Sequence, residues 1–212
     1  MNCVESRFLA LEPDDAFAAE VLAFKERVRR LVGEQLYLDH PPHLTLAMSV
    51  FRVEADVAGP IRELCRGLAA PAVTIRGWHV FEADQLTGSH TLVCDVAPDA
   101  KEPLARVQQE AIAAAAPRRD RVATRECYDE SWDRLSDEER ANVEQFGFPF
   151  VGPIWHPHVT VASVRPEDWD AVWLDLAGTP PEAIVRFSHL SIYGIRGDEP
   201  ILIERFALEG VG

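Results

Sequence analysis

Basic residues are scarce in this sequence. Lys and Arg number 21 against 35 Asp and Glu, and the formal net charge is −14. Binding along a nucleic acid is driven by Lys and Arg neutralising phosphates. The shortage therefore excludes a general binder of long nucleic acid, but not a locally positive pocket for a small phosphate or a nucleic-acid end. Cysteine is also sparse: Cys3, Cys65, Cys94 and Cys127 form no CxxC pair and no tight framework. Free thiols in a reducing cytosol are the expectation. No apolar run approaches the roughly 18 residues of a membrane-crossing helix. The opening MNCVESRFLALEPDD has no basic segment followed by a long apolar run, so a signal peptide is not expected. These exclusions leave a cytoplasmic protein away from membranes, expected to be a monomer. Its 212 residues are 47% hydrophobic, enough to fill the interior of one large domain or two small lobes sharing a core.

The chain alternates strand-like and helix-like stretches. SRFLALEP (6–13) reads as a strand closed by proline. DDAFAAEVLAFKERVRRLV (14–32) reads as an amphipathic helix, because Phe17, Val21, Phe24 and Val28 recur at helical spacing. Its acids come early and its bases late, matching the helix dipole. PHLTLAMSVF (42–51) is a strand and AGPIRELCRGLA (58–69) a second helix. AVTIRGWHVFEA (72–83) and HTLVCDVAP (90–98) flank a turn-rich DQLTGS and suggest a hairpin. KEPLARVQQEAIAAAA (101–116) is a third helix. A charged, mixed segment then runs from about Arg118 to Gly152. Within it SDEERANVEQFG predicts a short helix, with Ser136 as cap, Glu139 three residues on, and Gly147 as stop. HPHVTVASV (156–164) is a strand, PEDWDAVWLDLA (166–177) a short helix, and two strands follow around RGDE. Both halves thus read strand, helix, strand, helix, hairpin, with the second half's opening blurred by the charged segment, and the hairpins favour α+β over a doubly wound parallel sheet.

One pattern occurs twice. Pro42-His43-Leu44-Thr45-Leu46 returns as Pro157-His158-Val159-Thr160-Val161. Residues two apart in a strand share a face, so His43 pairs with Thr45, and His158 with Thr160, while the aliphatics face a core. Two such strands across one cleft would present two imidazoles and two hydroxyls. That set suits phosphoryl transfer on a ribose. A neutral imidazole takes a proton from water or a sugar hydroxyl, a protonated one gives a proton to the leaving oxygen, and the hydroxyls donate to non-bridging phosphate oxygens. No metal or cofactor is required. With seven histidines in the chain, a single HxT would mean little. Two copies in matching strand contexts are hard to obtain by chance.

On these motifs the sequence resembles the 2H phosphoesterase superfamily, named for two His-x-Thr/Ser-x motifs. That group includes RNA 2′-5′ ligase-like proteins and cyclic phosphodiesterases. SRFLALEP is similar to the family's first strand, and the resemblance covers most of the chain outside about Arg118–Gly152. There, LSDEERANVEQFGFPFV is more loosely similar to some bacterial branches. The resemblance implies a single two-lobed domain over residues 1–212, with 118–152 as an insertion. It implies two antiparallel sheets around a cleft with helices outside, and His43, Thr45, His158 and Thr160 as the catalytic set. It further implies metal-independent action on a cyclic nucleotide, a cyclic phosphate or an RNA end. The inter-motif segment is longer than in minimal members. The first basic residue after the second motif, Arg165, comes late, so substrate contacts do not carry over.

Two other readings compete. His40 and His43 with His156 and His158 could hold a metal, although His40 and His43 are an odd number apart and the paired threonines would go unexplained. Alternatively, the site binds a nucleotide without turning it over. Weaker candidates for substrate contact are Arg7 beside the first strand, and Trp155 and Tyr193, which could stack on a base. Arg118, Arg119, Arg121 and Arg125 form the one dense basic cluster, and a solvated loop is the plainer reading of it. His79, His90 and His189 carry no motif and read as structural or surface residues.

Overall fold

The structure is a computed structural model and describes residues 6–197 and 199–210. Its elements follow the order β1 (Ser6–Pro13), α1 (Asp15–Val32), β2 (Leu44–Val50), α2 (Ala58–Gly67), β3 (Ala72–Phe81), β4 (His90–Val96) and α3 (Lys101–Ala115). Then come α4 (Arg121–Glu126), α5 (Asp137–Phe146), β5 (His158–Val164), α6 (Trp169–Leu176), β6 (Glu182–Arg196) and β7 (Glu199–Ala207). The expected α+β class is observed, and the strands pair antiparallel throughout.

Two sheets share one strand. β6 is 15 residues long. Its first part, Glu182–Arg186, pairs with β3, and the stretch from Phe187 to Gly194 pairs with β1. β7 runs along its other side from His189 to Arg196. One sheet therefore reads β2-β1-β6-β7 and the other β6-β3-β4-β5. The motif strands β2 and β5 lie at the two ends of the path β2-β1-β6-β3-β4-β5, yet they come back into contact with each other. That return creates the cleft between the lobes.

The helices cover the outer faces. α1 packs on β5 and α6, α2 and α3 pack on each other, α3 also covers β2, and α2 reaches β7. Helix α1 follows its sequence pattern. Asp14 caps it, its Oδ1 accepting from the Phe17 amide at 3.0 Å. Phe17, Val21, Phe24 and Val28 are buried in the main core, and Lys25 is buried among them. Leu44, Leu46, Val159 and Val161 are fully buried, on the core side the alternation assigned to them.

The segment 118–152 is more ordered than its composition suggests. Helix α4 was not expected, since six residues are too few to show a period. Asp120 caps it, and the Thr124 hydroxyl exchanges hydrogen bonds with the amide and carbonyl of Val50 at the end of β2. The capping box of α5 forms as predicted: Ser136 Oγ accepts from Glu139 N at 3.2 Å, and Glu139 Oε2 accepts from Ser136 N at 2.7 Å. Gly147 ends the helix in the left-handed region at φ 84°.

Three of the four clustered arginines make structural contacts. Arg118 donates to the carbonyls of Asp56 and Ala114, and Arg119 to those of Glu144 and Gln145. Arg125 lies over the Trp132 ring and pairs with Asp129. The expectation of free thiols holds for Cys65 and Cys94, both buried, and fails at Cys127, which is disulfide-bonded. Cys3 lies outside the described residues. Among the described residues, no helix is long and apolar enough to cross a membrane.

Candidate active site

The two motifs build the same local device. His43 Nδ1 lies 2.6 Å from the carbonyl oxygen of Pro41, and His158 Nδ1 lies 2.6 Å from that of His156. In both cases the partner is the carbonyl two residues back, across the motif proline. Proline fixes its own φ and holds the preceding residue extended. The carbonyl before it is thereby turned toward the ring that follows. A carbonyl can only accept, so Nδ1 carries the proton in each ring. In the neutral imidazole Nε2 is then left with a free lone pair. Both rings are thus set as proton acceptors at Nε2.

Thr45 and Thr160 share the partly exposed faces of β2 and β5 with these rings, as the alternation requires. Among the described residues neither hydroxyl has a side-chain hydrogen-bond partner, so both remain available to a ligand. Because β2 and β5 meet, His43 and His158 sense each other's charge. Burial is the main force on both. It lowers the His43 pKa to about 3 against the opposing pull of the Pro41 carbonyl, and charge on His40, Lys25 and His158 lowers it further. It lowers His158 to about 4 in the same way, opposed by the His156 carbonyl. Both imidazoles are neutral near pH 7. A phosphate anion placed between them would favour the charged form and raise both values.

An aromatic wall stands beside each ring. Phe8 is 5.0 Å from His43 by ring centroids, and Tyr193 is 6.1 Å away and stacked on Phe8. On the other lobe Phe81 is 5.1 Å from His158. Glu12 lies on the same face as Phe8. It accepts from the hydroxyls of Tyr193 and Ser191 at 2.6 and 2.5 Å, and pairs with Arg205 at 2.8 Å. Burial and the Glu12 contact push the Tyr193 hydroxyl pKa up, so it remains a donor. A second polar group flanks His158. His156 Nε2 lies 2.7 Å from Asp95 Oδ1, and the His79 ring stacks on His156 at 4.3 Å.

The other sequence candidates fare differently. Tyr193 stands beside His43. Trp155 is 8% exposed and belongs to the main core, so no face is open for a base. Arg7 alternates with Leu9 and Leu11, the core-facing set of β1, and not with Phe8 and Glu12. The four-imidazole metal alternative is not assembled. Among the described residues, the group with metal-like spacing is His79, Asp95 and His156, without His40, His43 or His158. Phe8, Glu12 and Phe81 went unnoticed in the sequence. Strand parity places Phe8 and Glu12 on one face, but only the strand pairing sets Phe8 beside His43 and Tyr193.

An α+β fold with two antiparallel sheets, whose cleft carries a twice-repeated His-x-Thr strand, defines a 2H phosphoesterase-type protein. The pattern of the 2′-5′ RNA ligase superfamily matches residues 13–199, and the chain belongs to that superfamily, the 2H phosphoesterases. Solved structures agree on the fold. TT0787 of Thermus thermophilus matches with a TM-score of 0.57 at 17% identity, covering 98% of this chain and 100% of that one. LigT of E. coli in apo form gives 0.52 at 16%, covering 96% of each chain. LigT complexed with 3′-AMP gives 0.50 at 18%, covering 96% of this chain and 98% of that one. No curated protein matches the sequence.

Proposed function

We propose that this protein is a phosphoesterase acting on a 2′,3′-cyclic or related cyclic nucleotide or on an RNA-end phosphate, by general acid–base catalysis between His43 and His158. The same two-imidazole chemistry, with an RNA 5′-hydroxyl in place of water attacking a 2′,3′-cyclic end and the ribose 3′-oxygen leaving, would make a 2′-5′ RNA ligase-like enzyme. One observation carries the reading. Each imidazole is held at Nδ1 by the carbonyl two residues back, which leaves Nε2 free beside an unengaged threonine hydroxyl, and this occurs twice across one cleft.

In the hydrolytic direction, one neutral imidazole takes a proton from water as the water oxygen bonds to phosphorus. The other, protonated once the phosphate anion is bound, gives its proton to the departing ribose oxygen as that P–O bond breaks. Thr45 and Thr160 donate to the non-bridging oxygens as charge develops there. The two rings finish with exchanged protonation states and reset through solvent. No step requires a metal ion. Tyr193, packed beside His43, is a candidate for contact with the nucleoside. The LigT structures with 3′-AMP and with NADP+ support a small nucleotide as the kind of ligand such a cleft takes.

The test is a screen of nucleoside 2′,3′-cyclic phosphates and short RNAs with cyclic or 2′-5′ ends, run with and without chelator. Turnover that persists in chelator and disappears in His43→Ala and His158→Ala is expected, with circular dichroism unchanged. Full activity in His43→Ala would end the proposal. Tight nucleotide binding with no turnover would identify a binding protein in its place.

A further inference from the structure

Three residues beside the cleft are left without a role by the chemistry above. His79 lies on β3, Asp95 on β4, and His156 in the turn before β5. One ligand atom from each lies within 4.8 Å of the others, and all three side chains are partly exposed. We propose that His79, Asp95 and His156 form a site for a divalent first-row transition cation.

The His156–Asp95 contact alone could be a structural pair fixing the turn. It leaves His79 unexplained. The His79 ring stacks on His156 at 4.3 Å and has no hydrogen bond among the described residues. A second imidazole adds nothing to a hydrogen-bonded imidazole–carboxylate pair. A cation gives all three groups one purpose. Two imidazole nitrogens and one carboxylate oxygen are the donors that zinc and its neighbours prefer, with positions left open for water. The set has no thiolate, and hard cations such as Mg2+ favour oxygen donors. Phe81 packs on both rings, 4.6 Å from His79 and 5.4 Å from His156, and so restricts their rotation. Rigid packing behind the ligands is what a preformed site needs. The overall charge of −14 attracts cations to the surface.

The site is joined to the cleft through one residue. His156 supplies the ring that would hold the cation and the carbonyl that holds His158 Nδ1. A bound ion would therefore stiffen the turn that orients His158. The ring that would hold the cation is not one of the two proposed for proton transfer, and the His156 and His158 ring centroids are 6.2 Å apart.

The experiment is calorimetric titration of ZnCl2 into chelator-treated, desalted full-length protein, with Co2+ absorption as a second readout. One equivalent of zinc is expected to bind. His79→Ala and Asp95→Asn are each expected to weaken it at least tenfold, and His43→Ala to leave it unchanged. Absence of stoichiometric binding would overturn the proposal. So would binding that survives both triad substitutions, or binding lost in His43→Ala, which would place the ion between the cleft histidines. Should a variant unfold, the wild-type protein decides: zinc must shift the imidazole resonances of His79 and His156 and not those of His40. Binding is read without substrate, so this proposal and the phosphoesterase reading fail separately.

Discussion

The motif proline, easily read as mere strand punctuation, sets how the two imidazoles are held at Nδ1. Without it the carbonyl two residues back would not be held under Nδ1, and either nitrogen could carry the proton. The hydroxyls differ, since among the described residues they have no side-chain hydrogen-bond partner, and the proposed role for them is to donate to a bound phosphate. Thr45→Val and Thr160→Val keep the shape and remove one donor each. Each is expected to cost about 2–4 kcal/mol in the barrier, roughly 30- to 1000-fold in kcat, with a smaller change in KM. Steady-state kinetics would check this, and a change confined to KM would assign the hydroxyls to ground-state binding. That each His shares a strand face with its Thr was legible in the sequence, because two-residue alternation needs no knowledge of the fold. Their neighbours were not. Glu12, Phe81, His79 and Asp95 come from three other strands, and only the strand order sets Glu12 beside Tyr193 and the other three beside His156.

Lys25 makes a different point at the same scale. It is 1% exposed on the core face of α1, and its Nζ donates to the Tyr37 carbonyl, in the loop that leads to His40 and Pro41. Tyr37 itself has φ 74°, unusual for a non-glycine residue, and the lysine holds that turn. Burial is the main cause of lowering the Lys25 pKa to about 7, from an ordinary value of 10.5. The unfolded chain binds more protons than the folded one between these values, so stability rises with pH across that window. The penalty is fully present below pH 7 and fades toward pH 10. Urea denaturation should therefore show wild type gaining on Lys25→Met between pH 7 and pH 10. A constant difference would mean that the amine is not perturbed. The helical pattern alone would not single out Lys25, because it sits one position from Phe24 at the edge of the apolar stripe.

At the level of elements, the helices with caps were the most readable. Asp14 and Ser136 each satisfy an orphan amide of the first turn, and both signals are local. Helix α4 has Asp120 as cap but no apolar period, and what holds it is Thr124 on the end of β2, a tertiary contact. Gly147 joins the two levels. Its left-handed φ ends α5, and a Cβ there would lie 2.3 Å from Ser49 Oγ and 2.7 Å from Arg119 Cδ. Arg119 is itself buried, so it has little room to move. Gly147→Ala is expected to destabilise by more than about 2 kcal/mol, strain and clash together. Gly88 is the control: φ is 73°, yet nothing lies within 4 Å of its Cβ position. Gly88→Ala should cost only the backbone strain, about 1 kcal/mol. Equal losses in thermal denaturation would show that the close approach at Gly147 carries no weight.

For the whole molecule, two features act together. The long β6 belongs to both sheets, so the lobes cannot be separated without breaking one strand, and the cleft between β2 and β5 is built into the fold. The sequence suggested two lobes by its repeated order, but a single strand serving both sheets is visible only in the pairing. Around that cleft the chain carries a charge of −14. Phosphates outside the cleft meet repulsion that reaches roughly 30 Å in 0.01 M salt and about 8 Å at 0.15 M. A mononucleotide has little charge outside the site, whereas an oligonucleotide has one phosphate per residue. The ratio of kcat/KM for a short RNA end to that for the matching mononucleotide is therefore expected to rise as salt is added. Proteins that grip a nucleic-acid backbone with Lys and Arg behave oppositely, losing affinity with salt as counterions return to the polymer. Measuring both substrates from about 20 to about 300 mM NaCl separates the two behaviours. A ratio that falls with salt would show a basic track for the polymer and would overturn the preference for small substrates drawn from the acidic surface.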